Sequence, residues 1–183
     1  MPISAKNKAM WTTIVSIVVK TSLLIVLIDI HTVHAEKLSF SSNDTVNVSA
    51  ENAWEGDVED VVHFEGKFEL RAPDWTLSAD SAVVYGQLDN PDKIILKGSP
   101  ARIYFLREKH KENEQKQKEQ SVEGSAFLIE YMRASNKLKM SGSARLTRDA
   151  NTLAGEIIEY DIDADRYSAS GEGGINIQVT PGK

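Results

Sequence analysis

The 183-residue chain has no cysteine, so disulfides and Cys-ligated zinc are both excluded. Histidine is scarce as well, and past residue 35 only His63 and His110 remain. Without a thiol, covalent catalysis needs a Ser or Thr beside a base. His63 lies in a strand pattern on the face opposite Phe64, and His110 in a charged run, so neither is set up as that base. There is no G-x-S-x-G, no H-E-x-x-H, and no glycine loop opening a helix; "GEGG" at 171–174 lies between strand patterns. "DIDAD" at 161–165 lacks the glycine and distal Glu of a calcium loop and reads as a strand end plus a turn. No enzymatic activity, cofactor or metal is expected. Positive charge is also in deficit, 21 Lys+Arg against 27 Asp+Glu. A nucleic-acid partner is therefore not expected, because phosphate neutralisation needs clustered cations.

Long apolar runs are missing too, except near the start. Lys6 and Lys8 precede an apolar stretch that is strongest at "SLLIVLI" (22–28), and "VHA" (33–35) places a small residue before Glu36. Residues 1–35 read as a signal peptide cut after Ala35. The competing reading is a retained anchor, since 9–30 is long enough to span a bilayer. Lys20 lies inside that span, where a charge costs about 3 kcal/mol on insertion scales. Cleavage would leave 18 basic against 26 acidic residues.

What the rest of the chain has is alternation. Residues 36–45 show no usable period and read as a flexible lead-in. From there "VNVSA", "VHFEGKFEL", "WTLSA", "KIILKG", "ARIYF", "AFLIEY", "KLKMSG", "ARLTR", "GEIIEYDI" and "INIQV" follow the period of half-buried strands. Asn-, Asp- and Pro-rich turns separate many of them, and no window carries a helical stripe. The fold class is all-β.

The alternation is itself repeated. Tyr131 to Gly142 and Tyr160 to Gly171 share one spacing, Tyr85 to Gly98 is slightly longer, and a worn first copy ends at Gly66. Serial hairpins of this kind bury their apolar faces only by stacking on neighbours. A glycine at the same place in each unit predicts a bulge where the sheet folds over itself. The segment "REKHKENEQKQKEQ" (107–120) has no strongly apolar residue and reads as a solvated loop or frayed helix.

The inward set predicted from parity is Val46, Val48, Phe64, Phe68, Leu70, Trp75, Leu77, Ile94, Leu96, Ile103, Ile129, Tyr131, Leu138, Met140, Ile158 and Tyr160. On pattern alone it is either a plain core or a lipid-lined groove.

The series "VNVSAENA", "VVHFEGKFEL", "WTLSADSAVVY", "LKGSPARIYF", "VEGSAFLIEYMRASNKLKMSGSARL" and "LAGEIIEYDIDADRYSASG" resembles the periplasmic lipopolysaccharide-transport family called OstA or LptA. The resemblance runs from about Val46 to the C-terminus. It implies an open β-jellyroll over 46–183, a twisted V of two antiparallel sheets, whose apolar interior binds the acyl chains of lipopolysaccharide. The interior positions matching the family are Val46, Val48, Phe64, Trp75, Leu77, Ile103 and Tyr131; the parity set up to Met140 completes the expected lipid-binding list. It also implies an inner-membrane jellyroll partner, an outer-membrane assembly protein, and head-to-tail self-association, here expected between "VNVSA" and "INIQV". Two alternatives stay open: a membrane-anchored jellyroll similar to LptC, and a β-repeat scaffold that binds no lipid. The long charged segment departs from the family pattern.

Overall fold

A computed structural model of the protein describes residues 45–109 and 118–180. The expected signal peptide and most of the lead-in lie outside the described residues. Among the described residues ten antiparallel strands form one sheet: β1 (Asn47–Ser49), β2 (Asn52–Glu55), β3 (Val61–Arg71), β4 (Trp75–Gln87), β5 (Asn90–Lys109), β6 (Lys118–Met132), β7 (Lys137–Arg148), β8 (Asn151–Asp161), β9 (Arg166–Ser170) and β10 (Asn176–Gln178). From β3 to β8 each strand pairs with its neighbours in sequence. Each outer long strand is covered by two short ones. β1 and β2 share β3, and β9 and β10 share β8. The sheet does not close on itself, as expected of an open jellyroll.

The two sheets of the V are two leaves of this one ladder. Between each adjacent pair of long strands the register slips: Glu65/Phe68, Ser78/Ser81, Lys97/Ala101, Ser125/Leu128 and Ser141/Ala144. These slips line up as a seam across the sheet. Gly66 and Gly142 lie on the seam with φ of +79°, a region that an L side chain enters only with strain. A Cβ on Gly142 would also sit 2.8 Å from the Phe127 ring. The repeated glycine thus marks the fold line at Gly66, Gly98 and Gly142, whereas Gly171 falls just past the end of β9 and makes no slip in the ladder. The first leaf holds 61–65, 81–87, 90–97, 128–132, 137–141 and 157–161, with β2 and β9 at its edges. The second holds 68–71, 75–78, 101–109, 118–125, 144–148 and 151–155, with β1 and β10 at its edges.

The alternation places side chains as expected. Trp75, Leu77 and Ala79 are all buried, and His63 is turned outward to stack on Trp54, with ring centroids 5.4 Å apart. "DIDAD" ends β8 at Asp161 and forms the turn before β9. One detail refines the repeat and one differs from the sequence reading. Tyr85 faces outward, unlike Tyr131 and Tyr160, because its unit turns Val84 inward instead. The charged run expected as loop from Arg107 is strand through Lys109 and again from Lys118, since the β5–β6 ladder continues past the last apolar pair.

Candidate functional site

The inner faces of the two leaves meet as one apolar cluster running from β3 to β8. Phe64, Ile94, Leu96, Ile129, Tyr131, Leu138 and Met140 come from the first leaf, and Phe68, Leu70, Trp75, Leu77 and Ile103 from the second; all are buried. Val46 and Val48 are half-buried against its margin, because they belong to an edge. Ile158 and Tyr160 are fully buried in the same cluster. Every position of the expected interior set therefore shares one face of the folded sheet.

Contacts across the leaves are intimate. Leu77 and Ile103 face Ile94, Leu96, Ile129 and Tyr131 around a void with no room for a water molecule. Nearer the free ends of the leaves, Trp75 meets Tyr131 at 6.1 Å and Phe105 meets Tyr160 at 6.4 Å between ring centroids. Trp75 and Phe105 stack at 4.3 Å within the second leaf. Each large side chain buried here contributes about 1.5–3 kcal/mol of transfer free energy.

A polar cluster caps the aromatic contacts. Asp165, in the turn after the first leaf's last long strand, accepts a hydrogen bond from Tyr160 Oη at 2.8 Å. The same carboxylate pairs with Arg148 Nη1 and, at 3.0 Å, with Arg107 Nη1, both from the second leaf. Arg107 also reaches the Asp163 carbonyl at 3.4 Å. Burial pushes the Tyr160 phenol up to about 12, reinforced by its bond to Asp165. Burial alone would raise the Asp165 carboxyl, but the Tyr160 hydrogen bond and the two guanidiniums outweigh it and hold it below the usual range. Desolvation likewise opposes the charge on Arg148, and Asp165 more than compensates. Among the described residues no group of His, Cys, Asp or Glu is placed to hold a metal.

Parity missed this cluster. Arg107, Gln120 and Arg148 continue the inward register of Phe105, Val122 and Leu146, yet a charge at a strand end reads as a solvated tip. Phe105, Val122, Leu146 and Leu153 are as buried as the expected set and were left out of it.

The profile of the LptA/(LptD N-terminal domain) LPS transport protein family matches residues 47–166. The chain belongs to that family. Its fold is similar to the crystal structure of LptH from Pseudomonas aeruginosa, described as the LptA-homologous periplasmic component of the lipopolysaccharide transport device. The TM-score is 0.60 at 17% identity, over 75% of this chain and 96% of that one. No curated protein matches the chain. Family and fold are thus those of a transport protein, with a role in lipopolysaccharide transport.

Proposed function

We propose that the protein is a periplasmic carrier that holds the acyl chains of lipopolysaccharide between its two leaves and passes them along a head-to-tail bridge. The single observation that carries this reading is the uninterrupted apolar interior, which runs from one unclosed sheet edge to the other. Acyl chains gain about 0.8 kcal/mol per buried methylene, and non-directional contacts of that kind let a chain slide. The residues proposed to line its path are Phe64, Phe68, Leu70, Trp75, Leu77, Ile94, Leu96, Ile103, Ile129, Tyr131, Leu138 and Met140, with Val46 and Val48 at the entry edge.

The edges support stacking. β1 and β10 both lie in the second leaf, and β2 and β9 both lie in the first. Joining the N-terminal edge of one molecule to the C-terminal edge of the next can therefore pair β10 with β1 and β9 with β2, continuing both leaves at once. Such heterologous strand addition is open-ended. The same edges offer docking places for an inner-membrane jellyroll partner and an outer-membrane assembly protein.

The test is displacement of a fluorescent fatty-acyl probe from the purified protein by lipopolysaccharide. Saturable, competitive binding is expected. A folded protein that takes up neither ligand is a scaffold with a dry core, and the carrier reading fails.

A further inference from the structure

The polar cluster at the leaf ends carries more charge than a structural cap requires. Two guanidiniums converge on one carboxylate, so Arg107, Arg148 and Asp165 together hold one net positive charge in a chain whose overall balance is −6. The three side chains are only 21–28% exposed. Arg148 also lies over the Tyr160 and Tyr167 rings, at 5.9 and 5.1 Å from their centroids.

Two further observations point to a ligand. Arg148 lines an opening between β9 and β10 whose other walls include Leu146, Leu153, Tyr167, Ile177 and Val179. Among its lining residues Arg148 is the one that carries charge. An opening with aliphatic and aromatic walls, the polar side chains of Asn151 and Thr152, and a single cation matches an amphiphile with an anionic head. Independently, Gln120, the cross-strand neighbour of Arg107, is 5% exposed, and its Oε1 has no hydrogen-bond partner among the described residues. A buried acceptor left unpaired costs about 1–3 kcal/mol, and a hydroxyl or amide N–H of a bound head group would satisfy it.

We propose that Arg107 and Arg148 form a phosphate-binding head-group site at the mouth of the groove, which Asp165 fills as a built-in stand-in until a phosphorylated amphiphile displaces it. A phosphomonoester presents the same oxygen acceptors as Asp165 with more charge, and guanidinium forks match it bidentately. Displacing the Asp165 carboxylate also removes the charge pairs between the turn of the first leaf and two strands of the second, leaving the hydrogen bonds from Arg107 to the Asp163 carbonyl and from Arg148 to the Asp165 carbonyl. Head-group capture then loosens the contact between the leaf ends. Asp163 and Asp149 do not compete for the site in this arrangement, because their carboxylates accept from Asn136 and Gln120.

The inference rests on the carrier reading, and the test separates the two. The purified protein is titrated with a diphosphorylated acyl-glucosamine disaccharide, with the same lipid after removal of both phosphates, and with inorganic phosphate as competitor. Charge-assisted hydrogen bonds of about 1.5–3 kcal/mol correspond to a preference of roughly tenfold to a hundredfold for the phosphorylated lipid. Arg107→Gln with Arg148→Gln should bring that ratio close to one while leaving the dephosphorylated lipid bound as before. Asp165→Asn, which weakens the competitor, should tighten the phosphorylated lipid selectively. Arg107→Gln alone, toward the leaf end, should lower the ratio even if the double variant does not fold. Equal binding of both lipids by the wild-type protein, or an unchanged ratio in both arginine variants, would overturn the head-group site while sparing the carrier. Binding of inorganic phosphate without preference between the lipids would likewise overturn it. Failure to bind either lipid would remove the carrier reading as well.

Discussion

The Asn136 side-chain amide donates to Asp163 Oδ1 at 2.7 Å, tying the β6–β7 turn to the β8–β9 turn, 27 positions away. Asn136 is itself completely buried and left-handed at φ 46°. Its Oδ1 accepts from Tyr131 Oη at 3.2 Å, and its backbone carbonyl accepts from Ile162 N–H at 3.0 Å. Asparagine suits this place because it tolerates the left-handed region and offers both a donor and an acceptor.

Asn136→Ala should therefore destabilise the fold by about 2–3 kcal/mol, from lost hydrogen bonds and from alanine's poorer tolerance of the left-handed region. Asn136→Gly relieves the backbone and should cost less. Denaturant melts of the two variants measure the difference.

Core truncations should be severe. Leu138→Ala or Ile129→Ala removes a side chain at 0–1% exposure and should cost about 2–5 kcal/mol. Tyr131→Ala should cost about 3–5 kcal/mol, so a lipid-binding defect in that variant means little until a melt shows it folded. Tyr131→Phe keeps the ring and is the cleaner probe of the interior face.

The buried phenol gives a spectroscopic marker. In alkaline titration followed by ultraviolet absorbance, one tyrosine should ionise near 12, and that step should vanish in Tyr160→Phe. A folded-state value raised above about 10 makes the associated stability fully present below that pH, and it is lost as pH rises through about 12. Asp165 has the opposite sense. Its depressed carboxyl stabilises the fold above about pH 4 and ceases to do so as pH falls through its lower native value. The bonds to Tyr160, Arg107 and Arg148 should therefore survive mild acid.

Self-association should depend on protein concentration and on β10. Sedimentation over a concentration series should show growing species for the whole protein. A chain ending at Gly174, which lacks β10 and keeps only the β9–β2 pairing, should associate more weakly. Equal association by the shortened chain would eliminate pairing through that edge.

Intact-mass measurement of the exported protein should find Glu36 at its N-terminus. A mass that includes residues 1–35 in a membrane fraction would instead favour an anchored jellyroll.

The strands, their inward faces and the fold line were legible because each is written locally. Parity holds within each leaf, switching at the slip in β4, β5, β6 and β8, and Gly66, Gly98 and Gly142 recur where the ladder slips. What could not be read is what joins segments distant in sequence. Arg107 and Asp165 meet only because strands of both leaves return to the same end. A strand tip rich in charge has the composition of a loop, so the inward turn of Arg107 and Gln120 was hidden by their neighbours. The doubled edges escaped notice for a related reason: β1 and β2 look like one interrupted strand until β3 is seen to serve both.

The seam has a mechanical consequence. Pairing is already interrupted along it, so the two halves can swing apart like covers about a spine without unzipping any ladder. Such a swing would expose apolar surface, at about 25 cal/mol per Å², and the methylenes of the proposed acyl cargo would cover that surface again. Loading is then nearly an exchange of like for like. The loaded protein should resist unfolding in proportion to occupancy, as any ligand selective for the native state requires. Cargo would in that sense be a removable part of the hydrophobic core.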